Sequence, residues 1–414
     1  MSILHRTDSV TALFPRYVSH FRCIGADCED TCCSGWDISI DQKTFEAYTD
    51  PKKYYPPALK KLFGKNIRIQ TQSPTKEKYA SAINDPCTNN CPFLQENLCA
   101  IHRDIGEDKL SNTCFNFPRF TRKFLGNIEQ TLTLSCPEAA RLALLQADAF
   151  DFVEGELSVR PEALSVIDEK WGMSVDEMNE IRIFCFQLMR TEGLEIWERL
   201  VVLGAFCREL DRVLKGESPP GITNLLENFL FVIESGEAVK MLSKVQPDYG
   251  FQAKLFHTIW NTRKAQPRSP SRQVMQDSIA KALGADQKTG LLDPEILVET
   301  YRKGLKNLPS ALAETPYLLE HYVLNEMFRD CFPFGAQSAY QNYLGIVFRF
   351  GILRFMLSAI SVDSHSLPNK DALLKTVVVF CRIYQYDSLA DLFNLALKEV
   401  GWDRLEDAYG LLPS

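Results

Sequence analysis

CIGADCEDTCC (residues 23–33) and CTNNCPFLQENLC (residues 87–99) carry most of the information in this chain. With Cys114 and Cys136 they place nine of the thirteen cysteines in the first third of the sequence: Cys23, Cys28, Cys32, Cys33, Cys87, Cys91, Cys99, Cys114 and Cys136. The rest of the chain has only Cys185, Cys207, Cys331 and Cys381. Such bunching reads either as a disulfide framework or as a metal site, and context separates the two. Disulfide-dense domains are typically small and secreted. The opening MSILHRTDSV lacks the basic start and apolar run of a secretory leader. The expectation is therefore a set of thiolates on a metal, and all nine cysteines are candidate ligands.

Soft thiolates suit zinc or an iron–sulfur cluster. Zinc sites usually pair ligands as C-x2-4-C, often with histidine. Here the nearby histidine is His102, which reads equally as a ligand or as a helix-surface residue. The adjacent Cys32 and Cys33 do not easily point two sulfurs at one ion. Cysteine-only ligation with irregular spacing leans towards an iron–sulfur cluster, 4Fe–4S in type, with zinc as the alternative. Nine thiols exceed one four-ligand site, so some are structural, belong to a second site or take part in redox chemistry.

Outward from this stretch, local signals give the architecture. Trp36–Asp41 alternates as a short strand, with Trp36, Ile38 and Ile40 on one face. Asp41 reads as the N-cap of a helix over Gln42–Tyr48, ended by Pro51, Pro56 and Pro57. The Gln-Glu-Asn between the two apolar runs of Cys91–Ile101 suits a tight turn. Gly126–Ser135 alternates again, and Pro137 opens a helix at its first position. Beyond Cys136 the period becomes helical: Glu138–Ala147, Val175–Thr191, Leu194–Leu214, Ile222–Leu242, Phe251–Ala265, Ser271–Leu283, Pro294–Lys306, Tyr317–Phe332, Ala336–Ser361, Lys370–Tyr384 and Ser388–Val400. The expected fold is mainly α. A small cysteine-rich α+β metal-binding module (1–150) is followed by a larger all-helical domain (151–414).

Composition narrows the function classes. The 45% hydrophobic and 24% charged fractions are those of an ordinary soluble globular chain, so a cytoplasmic protein is expected. Apolar runs such as Thr376–Cys381 fall short of a membrane span. Residues 1–140 hold 17 Lys+Arg against 16 Asp+Glu, and the remainder 29 against 37. Neither part is basic enough for a nucleic-acid groove. Dinucleotide, P-loop, nucleophile-elbow and H-E-x-x-H motifs are absent, as is the radical-type C-x3-C-x2-C. Among single residues, Glu320 and His321 read as a solvated helix edge, and Arg349 and Arg354 as cations snorkelling over apolar surface. Asn325 and Glu326 are candidates for a buried polar network, and Arg119 for an anionic ligand or a salt bridge.

Taken together, Pro15-Arg-Tyr17, Phe21-Arg-Cys23-Ile-Gly25, the run Cys28 to Trp36 with Ile40-Asp41, Cys91-Pro-Phe-Leu94 with Leu98-Cys99, Leu110 to Cys114, Phe117-Pro-Arg119 and Cys136-Pro137 make the chain resemble the bacterial flagellin lysine-N-methylases. These belong with the cysteine-cluster proteins described as zinc- or iron-chelating. In the second part, Tyr322 to Phe328 and Phe332-Pro-Phe334 resemble the family's helical region. The resemblance implies methyl transfer from S-adenosylmethionine to lysine side chains of flagellin, by an enzyme carrying an iron–sulfur cluster. It leaves the catalytic and donor-binding residues unassigned. The residues taken alone allow two other classes, a non-catalytic metal-binding protein and an iron–sulfur electron carrier.

Overall fold

The computed structural model describes residues 4–36, 38–71, 74–168, 171–217, 221–262, 270–286, 291–335, 338–385 and 410–413. The helix expected over Ser388–Val400 lies outside the described residues. The chain divides into two compact units. One holds residues 1–142, 151–167 and 266–274, and the other 143–150, 168–265 and 275–414. It is mainly helical, with its sheets in the N-terminal unit.

The first unit is built on a five-stranded mixed sheet. Its elements in chain order are β1 (Asp8–Pro15), α1 (Tyr17–His20), β2 (Ser39–Ile40), α2 (Gln42–Thr49), α3 (Pro57–Asn66), β3 (Ile67–Ile69), β4 (Ala80–Ala82), β5 (Leu94–Gln95), β6 (Leu98–Cys99), α4 (Ala100–Ile105), α5 (Asn112–Asn116), β7 (Arg119–Phe124), β8 (Asn127–Leu132), the first part of α6 (Pro137–Leu145), β9 (Phe152–Val159) and β10 (Ser165–Ile167). The large sheet runs β10-β7-β8-β1-β9, and β2-β4-β3 form a smaller antiparallel sheet. The β7–β8 hairpin turns through Leu125 and Gly126, at φ 49° and 94°, the left-handed pair that a two-residue turn needs. Strand β9 pairs antiparallel with β1 from Asp8↔Val159 to Pro15↔Phe152. The sheet therefore takes strands from residues 152–167, where the sequence reading had begun its all-helical part. Tyr17 locks the lead-in to the sheet, its hydroxyl 2.9 Å from Thr131 Oγ1 and accepting from Leu132 N at 3.1 Å.

Asp41 caps α2 as its sequence position predicts, accepting from Thr44 N at 2.8 Å. Below it an aromatic core packs Tyr48 flat on Phe63, with centroids 4.1 Å apart, and Tyr55 edge-on to both. Full burial of each such ring stabilises by about 1.5–3 kcal/mol. Cys33 and Cys91 belong to this core, with Cys99 and Cys114 packed against it.

The second unit contains α7 (Val175–Met189), α8 (Ile196–Leu214), α9 (Ile222–Glu234), α10 (Glu237–Leu242), α11 (Tyr249–Thr262), most of α12 (Pro270–Ala282), α13 (Pro294–Ala311), α14 (Leu318–Arg329), α15 (Ala339–Ile360) and α16 (Lys370–Tyr384). The segment 222–242, expected as one helix, is two, because Gly236 adopts a left-handed φ of 71°. Helix α15 is the axis, packed on α8, α11, α13, α14 and α16. It is long and apolar enough to cross a membrane, but 89% of that window is buried inside the protein. Its amino end is held twice. Ser338 and Gln341 form a capping box, and Asp211 of α8 accepts from Ala339 N at 2.8 Å and Tyr340 N at 3.1 Å.

Three charged positions depart from their sequence readings. His321 is buried, its Nδ1 2.8 Å from the Ala143 carbonyl oxygen, while Glu320 pairs with Arg199. Arg354 is also buried and donates to the Leu411 and Leu412 carbonyls. Arg349 pairs with Glu326 and Asp330 instead of snorkelling. Glu326 and Asn325 are buried, and Glu326 joins the expected network with Arg329, Arg349 and Gln385.

Candidate metal centre

Three short backbone devices bring distant cysteines together. The loop after Cys32 is stitched to the one before Cys91 by Cys91 N to Cys33 O at 2.7 Å, Gly35 N to Asn89 O at 3.1 Å and the Ser34–Asn90 bridge. The β5–β6 hairpin then folds back through Glu96 and Asn97, at φ 52° and 59°, which sets Cys99 opposite Leu94. Finally, Ser111 caps α5, accepting from Cys114 N at 3.4 Å. The Cys33 thiol is the hub, its titration shifted most by the thiols of Cys32, Cys91 and Cys99. Cys114 sits near Cys99, Cys91 and Cys32, and Cys136 near Cys28 and Cys32. Cys23 and Cys87 are exposed and lie outside these contacts, and His102 is an exposed residue of α4. All thirteen cysteines are free thiols.

The group is electrostatically uneven. Cys33 is pushed far above the usual thiol range by its bonds to Cys32, Cys91 and Cys99 and by burial. Cys99 is lowered to about 6, first by the hydrogen bond from Cys33 and then, against desolvation, by the His102 and Ile101 amides at the start of α4. A thiolate at a helix amino end is the form that ligates metal and attacks electrophiles. Burial raises Cys114, and raises Cys136 to about 12 despite amides of the first turn of α6.

Among the described residues, no three His, Cys, Asp or Glu side chains surround a common point as ligands of a single ion. Contact through a hub thiol and convergence on an ion are different geometries. The main-chain hydrogen bonds hold the cysteine-bearing loops together whatever rotamers the thiols take. In donor chemistry the group fits a thiolate-bound metal: four sulfurs, an apolar shell including Phe93 and Tyr48, and amides directed at one sulfur.

A second layer, which the sequence did not reveal, supports these loops. Asp41 Oδ2 accepts from Thr44 Oγ1 at 2.9 Å and from Asn112 N at 2.9 Å, tying the cap of α2 to the helix that carries Cys114. Arg160, just past β9, donates to Leu110 O at 2.9 Å and Asn112 Oδ1 at 3.0 Å and lies 3.8 Å over Phe115. His5 bonds Thr44 Oγ1 at 2.8 Å and pairs with Glu162. The partners are about 40 to 160 residues apart in sequence, so no local motif marks them. Arg119 resolves as a 3.5 Å ion pair with Glu107, over the rings of Phe21 and Phe115.

Fold and site together define a mainly helical protein with a thiol-rich N-terminal module. Residues 182–411 match the FliB lysine N-methylase C-terminal domain, more than half of the chain. The chain belongs to that family. It is 32% identical to a lysine-N-methylase of Salmonella choleraesuis (strain SC-B67) and 30% identical to one of Salmonella typhimurium (strain LT2), in each case over 58% of this chain and 58% of the relative. The aligned part thus spans little more than half the length of those relatives. The flagellar biosynthetic protein FliU of Salmonella muenchen is 32% identical over 34% of this chain and 80% of that protein. No solved structure matches.

Proposed function

We propose that this chain is a cytoplasmic, S-adenosylmethionine-dependent protein-lysine N-methyltransferase that acts on flagellin, with an iron–sulfur cluster held by the thiols of its N-terminal unit. The observation that carries the reading is the match of residues 182–411 to the lysine N-methylase domain. The lysine-N-methylase and flagellar names of the relatives support the substrate class. The thiol group supports the cofactor by its donor chemistry.

The chemistry sets requirements on the protein. The acceptor lysine must be neutral before its nitrogen can attack a methyl group, so a dry pocket or a carboxylate must take its proton. The donor's sulfonium charge disappears in the transfer, so aromatic faces and carboxylates suit the donor. Cys32, Cys33, Cys91 and Cys99 would hold the cluster, with Cys28, Cys114 and Cys136 next to them. When bound, such a cluster supplies either a one-electron centre or a brace across the loops that carry these thiols.

The test is anaerobic purification, iron and sulfide analysis, then incubation with flagellin and methyl-labelled S-adenosylmethionine. Label on flagellin lysines, located by mass spectrometry, is the expected result. Metal-replete, reduced protein that transfers no label to flagellin would remove the reading.

A further inference from the structure

The helical unit carries a groove of about 1180 Å³ to which neither the comparisons nor the thiol module give a role. One wall is a single face of α13 that runs from Pro294 to Pro309. At 1.5 Å per residue that face is about 22 Å long, the length of roughly seven residues of extended peptide. Its charges are sorted. Glu295 and Glu299 occupy the first part, and Arg302, Lys303 and Lys306 the second. Half-buried Trp197 and Tyr249 line the same groove, with Glu195 and Glu198 beside Trp197 in sequence and Lys254 on the same helix as Tyr249.

The sorting is a cost to the helix by itself. Glu295 and Glu299 are like charges four apart, as are Arg302 and Lys306, and such pairs destabilise a helix by about 0.2–0.5 kcal/mol each. Helix-dipole stabilisation explains Glu295 but fades within the first turn. It leaves Glu299, Arg302 and Lys303 unexplained. Glu299 and Lys303 stand at the favourable i,i+4 spacing, yet among the described residues no ion pair joins the acidic block to the basic one. A ligand with a cation facing the first block and an anion facing the second relieves both repulsions.

We infer that this groove binds the protein substrate as an extended segment, seating a lysine against the glutamates and aromatic rings and an acidic side chain against Arg302, Lys303 and Lys306. The block centres are about seven residues apart on α13, or about 10 Å, which an extended peptide spans in roughly three residues. Because side chains of an extended segment alternate between its two faces, the occupant carries lysine and Asp or Glu two or four positions apart, on the face turned to α13. An ammonium over Trp197 or Tyr249 gains cation–π attraction that a neutral side chain lacks. At about 1180 Å³ the groove lies above the roughly 300–1,000 Å³ that small-molecule pockets typically enclose. The lysine specificity rests on the methyltransferase reading; the groove itself does not.

The test uses the full chain and fluorescent dodecapeptides with Lys and Glu two or four apart, followed by anisotropy without methyl donor at low salt. Glu295→Lys/Glu299→Lys and Lys303→Glu/Lys306→Glu should each weaken binding at least about tenfold. The combined four-site reversal should recover binding to a peptide with Lys and Glu exchanged, which a misfolded variant cannot do. Wild-type affinity in both double variants, or tighter binding of a helical peptide with the pair seven apart, would overturn the inference. The two readings fail separately. Normal flagellin methylation with groove variants unchanged in binding and KM sinks the groove alone. Groove-dependent peptide binding with no methyl transfer sinks the enzyme reading alone.

Discussion

Replacing Glu326 by Gln tests the account of the helical unit most sharply. Glu326 is 1% exposed. One carboxylate oxygen accepts from Arg329 at 2.8 Å and from Gln385 at 2.9 Å, and the other lies 2.8 Å from Arg349 Nε. Asp330 accepts from both arginines, at 2.8 Å and 2.7 Å, so two cations meet two anions and the cluster is neutral. Glu326→Gln keeps the shape but leaves two buried guanidinium groups facing one carboxylate. Breaking a buried pair from one side costs about 3–5 kcal/mol, a third or more of the stability of a typical domain. At about 2–4 °C per kcal/mol for a unit of this size, melting should fall by on the order of 10 °C. Asp330→Asn should cost only about 1 kcal/mol, because Asp330 is 37% exposed and water screens its loss. Replacing Glu326, Arg329 and Arg349 together by Leu and Met should recover much of the loss. Urea unfolding followed by circular dichroism measures all three. If Glu326→Gln fell within about 1 kcal/mol of wild type, or no lower than Asp330→Asn, the view of this cluster as a dry, charge-balanced core would be wrong.

Other expectations follow from the same reasoning. Burial lowers the His5 pKa from 6.5, against the pull of Glu162 and Asp41 and with the help of Arg160. The unfolded chain then binds that proton first, so stability is full above about pH 6.5 and declines as pH falls below it. His5→Gln should flatten this part of the pH–stability curve, and an unchanged slope would assign it elsewhere. In chelator-treated, reduced protein at pH 7, Cys99 should be alkylated by iodoacetamide well before Cys136, since one sits near 6 and the other near 12. Peptide mapping showing the reverse order would contradict the hub arrangement. Gly304→Ala should destabilise by more than about 1–3 kcal/mol, because a Cβ there would lie 2.1 Å from the Ser358 carbonyl oxygen of α15, backbone that cannot step aside. A melting point within error of wild type would mean that α13 and α15 are less closely apposed.

What the sequence made legible is local. The Asp41 cap, the turn at Glu96–Asn97, Pro137 at the start of α6 and most helices of the second unit each depend on neighbours within a few residues, and the structure has them. What it hid depends on distant partners. Strand β9 carries an alternating pattern, but its place is fixed by β1, more than 130 residues earlier. Helix α3 has no side-chain cap and follows two prolines, so its propensity signal is weak until Leu59 and Phe63 find the aromatic core. Arg354 reads as solvated because a cation among apolar residues usually snorkels, and His321 because it does not share a helix face with Glu320. Their partners are backbone carbonyls, of Leu411, Leu412 and Ala143, which carry no side-chain signature.

The adjacent cysteines show why spacing alone divides ligands poorly. Read along the chain, Cys32 and Cys33 compete for one centre and count against a simple site. In the fold Cys33 is buried and interacts with Cys91 and Cys99, whereas Cys32 is exposed and interacts with Cys114 and Cys136 as well as with Cys33. The seven sulfurs therefore form two neighbouring sets, one around Cys33 and one around Cys136, that meet at the Cys32–Cys33 dipeptide. An excess of thiols over one four-ligand site is then no embarrassment to a metal reading. The set around Cys33 has the apolar shell and the helix-end amides that a bound thiolate needs. The set around Cys136 gives neighbouring loops further sulfurs, and it is the main-chain stitch from Cys91 N to Cys33 O, not the count between cysteines, that brings the distant stretches together.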